Sequence, residues 1–102
     1  MATLHTINKS PFDKNSLETC VRLAIKGSAV LFIEDGIYCA IKGSAKSSIV
    51  EGVKGALNFY VLGPDMKARG IGEDKLIDGV KVVDYSGFVK LTVENDKVQA
   101  WL

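Results

Sequence analysis

Metal-ligating side chains are scarce in this chain. One histidine, His5, and two cysteines, Cys20 and Cys39, nineteen positions apart, cannot assemble a zinc ligand set at the usual Cys/His spacings. No metal or cofactor is expected. An excess of charge is missing as well: thirteen Lys and Arg against twelve Asp and Glu leave +1, which offers no complement to a polyanion, so direct nucleic-acid binding is not expected. Long apolar runs are absent. The longest near the middle is Ala29 to Ile33, far short of the ~20 residues of a membrane helix. The first thirty residues lack the basic start and apolar stretch of a secretory signal. Together with so few cysteines this points to the cytoplasm.

What is present suits a folded domain. Hydrophobic residues make up 47% and charged residues 25%, a globular balance, and 102 residues leave room for one domain, 1–102, rather than two cores. Thr3 to Asn8 reads as a strand, followed by a turn at Pro11. Asn15 can cap a helix over about 16 to 26, with Glu18 reaching back and Lys26-Gly27 as its stop. Leu17, Cys20, Val21, Ala24 and Ile25 give it one apolar stripe. Ala29 to Ile33 has the unbroken apolar character of a central parallel strand. Short helical stretches are expected over Ile37 to Lys42 and through Ile49, Val50 and Val53. A third strand over Leu57 to Leu62 leads into a short helix opened by Gly63-Pro64 and closed by Gly70. A fourth strand, Val80 to Asp84, precedes a helix in which Tyr85, Phe88, Val89, Thr92 and Val93 recur at helical spacing, capped by Asp84 or Ser86. Val98 to Leu102 has strand character. Strand and helix alternate, so the fold class is α/β: a small domain with a mainly parallel five-stranded sheet and flanking helices. The pentapeptide Ile-Lys-Gly-Ser-Ala occurs at 25–29 and 41–45, and shared helix C-cap chemistry at Lys-Gly explains it better than a repeat.

Few residues invite chemistry. Gly70-Ile71-Gly72 has Lys75 where a dinucleotide fingerprint needs its third glycine, and Gly43-Ser44-Ala45-Lys46-Ser47 lacks the order of a phosphate loop. His5 in a strand reads as a structural histidine, although a pair with Cys20 is conceivable. Cys20 falls in the second turn of its helix, past the free N–H groups that lower a thiol pKa most, and its spacing favours a buried, inert cysteine. Cys39 reads as packing. Trp101, the only tryptophan, needs cover from its own domain or from a partner, which makes it a candidate interface residue. No acid–base pair emerges, so independent turnover is not expected.

Taken together, several stretches resemble the TusB/DsrH family. They are His5 to Phe12 (HTINKSPF), Glu34-Asp35-Gly36-Ile37, Tyr60-Val61-Leu62 with Asp65-Met66-Lys67-Ala68-Arg69-Gly70, Val83-Asp84-Tyr85, Phe88 to Thr92, and Gln99-Ala100-Trp101. The resemblance implies a DsrE-like fold and membership of a cytoplasmic sulfur-relay complex. Its implied partners are two homologous subunits, DsrE/TusD-like and DsrF/TusC-like, in a dimer of heterotrimers, and a DsrC/TusE-like sulfur carrier. Two pathways use such machinery, dissimilatory sulfur oxidation and 2-thiolation of the tRNA wobble uridine. Members similar to the sulfur-oxidation subunit tend to carry a cysteine at the place of Cys20. That branch is therefore the expected one, with Cys20 as candidate sulfur acceptor forming a persulfide, and a noncatalytic scaffold of the tRNA-thiolation complex is the alternative.

Overall fold

A computed structural model describes residues 3–101. Five strands, β1 (Thr3–Ile7), β2 (Ala29–Phe32), β3 (Asn58–Leu62), β4 (Lys81–Val83) and β5 (Lys97–Trp101), alternate with helices α1 (Ser16–Leu23), α2 (Ser47–Glu51), α3 (Gly63–Ala68) and α4 (Tyr85–Glu94). A 3₁₀ helix, Glu34–Ala40, follows β2, and a 3₁₀ turn, Glu73–Lys75, precedes β4. The sheet order is β4-β3-β2-β1-β5 and every pairing is parallel. The α/β reading and the five strands match what the sequence implies. The order, which the sequence pattern does not contain, puts β2 at the centre, and all four of its residues are buried.

Two apolar layers sandwich the sheet. On one face Ile7, Val30, Phe32, Phe59 and Val61 pack with Leu17 and Cys20 of α1, Val50 of α2, Met66 of α3, and Ile37, Cys39 and Ala40 of the 3₁₀ helix. Phe32 and Phe59 stack there with ring centroids 5.8 Å apart, a contact worth about 0.5–1.5 kcal/mol beyond burial. On the other face Leu4, Ala29 and Leu31 meet Leu91 of α4, with Tyr60 and Phe88 alongside. One helix serves that whole face.

Several boundaries differ from expectation, each for a visible reason. Helix α1 ends at Leu23 instead of residue 26. Ala24 turns extended, and Gly27, at φ +91°, donates its N–H across to the Ala56 carbonyl at 2.7 Å. The tertiary bond takes the chain out of the helix, and Ile25 leaves the apolar stripe to stand 67% exposed. Asn15 makes no side-chain cap, and Glu18 turns instead to Lys46. The expected cap at Asp84 does form, its carboxylate accepting from the Gly87 N–H at 2.8 Å. In α4 it is Leu91 that is buried, with Phe88 half-buried. Tyr85, Val89 and Val93 run along the outside, 61%, 61% and 78% exposed. The residue Leu102, expected to finish the last strand, lies outside the described residues. Neither Lys-Gly closes a helix, since α1 is capped at Ala24 and the 3₁₀ helix at Ile41; what the two copies share is a glycine at positive φ, Gly27 and Gly43, which glycine adopts without steric cost.

Candidate functional site

Cys20 sits on the inward side of α1 and Cys39 near the end of the 3₁₀ helix. Both belong to the same buried cluster, and neither has accessible surface. The 3₁₀ helix is brought there by Gly36, which passes so close to β1 that a Cβ at this position would run into the Ile7 carbonyl. Both thiols are free. Burial pushes each pKa from 9.0 up to about 12. For Cys39 the Glu18 carboxylate and Cys20 add to burial, and its Sγ lies 3.9 Å from the Lys9 carbonyl, to which it donates. Thiolate is the form that attacks a sulfane sulfur, and here two neighbouring thiols are held protonated away from solvent. Sequence position had already put Cys20 past the helix dipole; the pairing of Cys20 with Cys39 has no signature in the sequence.

Above the thiols lies a polar rim. Glu18 Oε2 accepts from Lys46 Nζ at 3.1 Å, and both side chains are about a third exposed, so the ion pair contributes about 0–1 kcal/mol. Glu18 Oε1 and Asn8 Oδ1 are buried without a partner. Lys46, from the stretch that fails as a phosphate loop, is thus occupied in holding α1 to α2, and Ser47 Oγ donates locally to the Ser44 carbonyl.

At the carboxyl ends of β2 and β3, two stretches that carry the family resemblance meet. Glu34 has φ +50°, a left-handed conformation that disfavours side chains with a Cβ. Its N–H donates to Asp65 Oδ2 at 2.6 Å. Arg69 donates from Nε to Asp35 Oδ1 at 3.0 Å and from Nη1 to the Asp65 carbonyl at 3.2 Å. Glu34-Asp35-Gly36 and Asp65 to Arg69 are therefore two halves of one clamp, and it fixes the entry of the 3₁₀ helix that carries Cys39.

His5 and Trp101 form a separate pair at the β1/β5 edge. The indole Nε1–H donates to His5 Nδ1 at 3.0 Å, with ring centroids 6.2 Å apart. His5 is buried, and burial lowers its pKa. Trp101 is half-buried and packs against the main core, so its polar atom is satisfied within its own chain. The imidazole is engaged by the indole, and no bond joins it to Cys20.

A family model described as "DsrH like protein" matches residues 9–98. Protein TusB of Pectobacterium parmentieri is 37% identical over 98 residues, covering 96% of this chain and 99% of that protein. Protein TusB of Escherichia coli (strain K12 / DH10B) is 30% identical over 99 residues, covering 96% and 99%. Among solved structures, the ychN protein from E. coli superposes with TM-score 0.81 at 18% identity, covering 98% of this chain and 99% of that one. The protein MTH1491 of Methanobacterium thermoautotrophicum superposes with TM-score 0.74 at 18% identity, covering 96% and 97%. At these identities the two structures speak to fold alone.

Proposed function

The chain belongs to the DsrH-like family, and from that premise we propose that it is a noncatalytic subunit of a cytoplasmic sulfur-relay complex, of the kind that 2-thiolates the wobble uridine of certain tRNAs. The observation that carries the noncatalytic part is the sealing of both thiols: Cys20 and Cys39 have no accessible surface and are held protonated by burial. Sulfur transfer needs a reachable thiolate. The sulfur-oxidation branch expected from the presence of Cys20 gives way to the tRNA-thiolation branch, because the relatives matching nearly the whole chain carry the name Protein TusB.

In this reading the reacting cysteine belongs to one of two homologous subunits, within a dimer of heterotrimers, and a small carrier protein takes the sulfur onward. This chain supplies surface. The stripe of Tyr85, Val89 and Val93 on α4 is exposed and apolar, a suitable face for a subunit contact. Near-neutral charge fits a chain that does not itself hold tRNA.

The test uses the assembled complex. It is incubated with a persulfide donor and analysed by mass spectrometry, beside a complex carrying Cys20→Ala and Cys39→Ala. The expected result is sulfur on a sister subunit alone and unchanged sulfur flow through the variant. One sulfur atom gained on Cys20, or flow lost while the variant complex stays intact, would restore Cys20 as an acceptor and overturn the scaffold role.

A further inference from the structure

β1 and β5 pair so that Thr3 faces Lys97, His5 faces Gln99 and Ile7 faces Trp101. In a parallel pair these side chains share one face of the sheet, the face on which α1 packs over β1. No helix covers β5 on this side among the described residues. α1 stops at Leu23, so Leu23 and Ile25, 60% and 67% exposed, stand as an apolar wall beside bare strand. The space left is a cavity of about 630 Å³ with His5, Gln99 and Trp101 in its floor, Leu23 and Ile25 in its wall, and Lys97 at its rim. Small-molecule sites span about 300–1,000 Å³ and combine apolar lining with a few convergent polar groups.

The polar groups here are of one kind. Because the Trp101 indole donates to Nδ1 of His5, that nitrogen is an acceptor, and the neutral imidazole must carry its proton on Nε2. His5 is only 7% exposed, and Nε2 has no bond to any described residue. Its N–H is a donor open to solvent, on a residue that lines the cavity, and so is available to a ligand. Lys97 adds an ammonium and Gln99 an amide, and among the described residues no carboxylate lines the space. A cationic ligand would find no counter-charge among them. A phosphate would find a single cation and would lose hydration against Leu23 and Ile25.

We infer that this cavity is a binding site for a small organic carboxylate with an apolar body, its oxygens accepting from His5 Nε2–H and Lys97 and its carbons lying against Leu23, Ile25 and Trp101. The Trp101–His5 hydrogen bond is the positioning element, since it selects the tautomer that presents the donor. The site is independent of the sealed thiols and of the α4 stripe.

Trp101 is the only tryptophan, so its emission and its single indole N–H resonance report on this cavity alone. The full chain is titrated with hexanoate, and in parallel with hexylammonium and hexan-1-ol. Saturable one-to-one shifts with hexanoate are expected, none with hexylammonium, and binding of hexan-1-ol about tenfold weaker or less, the weight of one charge-assisted contact. Lys97→Met, on an exposed edge position, should weaken hexanoate about tenfold with the indole resonance otherwise in place. His5→Phe, which leaves Lys97 in place, should weaken hexanoate further through loss of the Nε2–H contact while part of the preference over hexan-1-ol remains. Non-saturating shifts, equal response to hexylammonium, or indifference to Lys97→Met would each overturn the inference. So would loss of hexanoate binding when the chain is assembled with its sister subunits, since the cavity would then be part of a protein contact.

Discussion

Alkylation by iodoacetamide requires a thiolate and access to it, and Cys20 and Cys39 fail on both counts. Raising a thiol from 9.0 to about 12 lowers its thiolate fraction near neutral pH about a thousandfold, because each pKa unit is a factor of ten. Chemistry alone therefore slows either residue about a thousandfold against a free cysteine. Lack of access closes that route, and a thiol freed by opening regains its ordinary pKa, so the two factors are alternatives and do not multiply. With no accessible surface on either residue, the reagent reacts only after opening, and a domain stable by about 5 kcal/mol is open roughly two parts in ten thousand. The assay is intact-mass spectrometry of timed iodoacetamide reactions on the full chain, native and across a urea series. No label on the native chain over an hour-scale reaction is expected, two labels in the unfolded chain, and a log rate that climbs linearly with urea below the transition as opening becomes easier. Both thiols should acquire label together, since α1 and the 3₁₀ helix close one cluster. Rapid stoichiometric labelling of Cys20 in the native chain would refute the reasoning. It would mean that α1 lifts without global unfolding and that Cys20 is within reach of a donor.

The same burial makes stability fall at high pH. An unfolded thiol loses its proton near 9 and the folded ones near 12, so between these values the unfolded chain holds fewer protons. Stability from the thiols is full below about 9 and declines by about 1.4 kcal/mol per pH unit per thiol above it; urea midpoints on either side of pH 9 should show a drop that Cys20→Ala with Cys39→Ala reduces. Gly36→Ala forces a Cβ into the Ile7 carbonyl and should destabilise by about 3 kcal/mol or more, read from the urea midpoint; a loss below about 1 kcal/mol would show that the 3₁₀ helix can back away. Asp65→Ala removes the acceptor of the Glu34 N–H and should cost about 1–2 kcal/mol by thermal melt. Val89→Glu with Val93→Glu alters only exposed positions, so chain stability should stay within about 0.5 kcal/mol while co-elution with the sister subunits is lost; unchanged co-elution would remove α4 from the assembly surface.

Much of this architecture is legible from periodicity. Ala29 to Ile33 reads as a strand covered on both faces and the structure has one over Ala29–Phe32, and Pro64, Gly70 and Asp84 mark helix ends where the structure has them. The failures share a cause: a distant partner outcompetes a local signal. Gly27 looks like a helix stop, yet its N–H is spent on Ala56, and the helix ends earlier. Glu18 looks like half a capping box, and Lys46 takes it. Spacing on α4 picks out Tyr85, Phe88, Val89, Thr92 and Val93, yet the residue the sheet buries is Leu91, outside that stripe, with only Phe88 of the five packed beside it. The site was half legible. Cys20 as a buried, protonated thiol follows from its helical phase, whereas its proximity to Cys39 and the union of Glu34-Asp35 with Asp65-Arg69 depend on which strands are neighbours.

The strand order also has a consequence in time. β1 is paired with β2 on one side and with β5 on the other, and the His5–Trp101 bond joins residues 96 positions apart. During synthesis, which proceeds at about 5–20 residues per second, β1 to β4 and their helices emerge first and can assemble, while one side of β1 waits for its neighbour. Residues 97–101 then dock last, and their arrival covers His5. The sheet is thus closed by its last strand in chain order: without residues 97–101 the β1 edge would stay open and His5 would lack its indole partner.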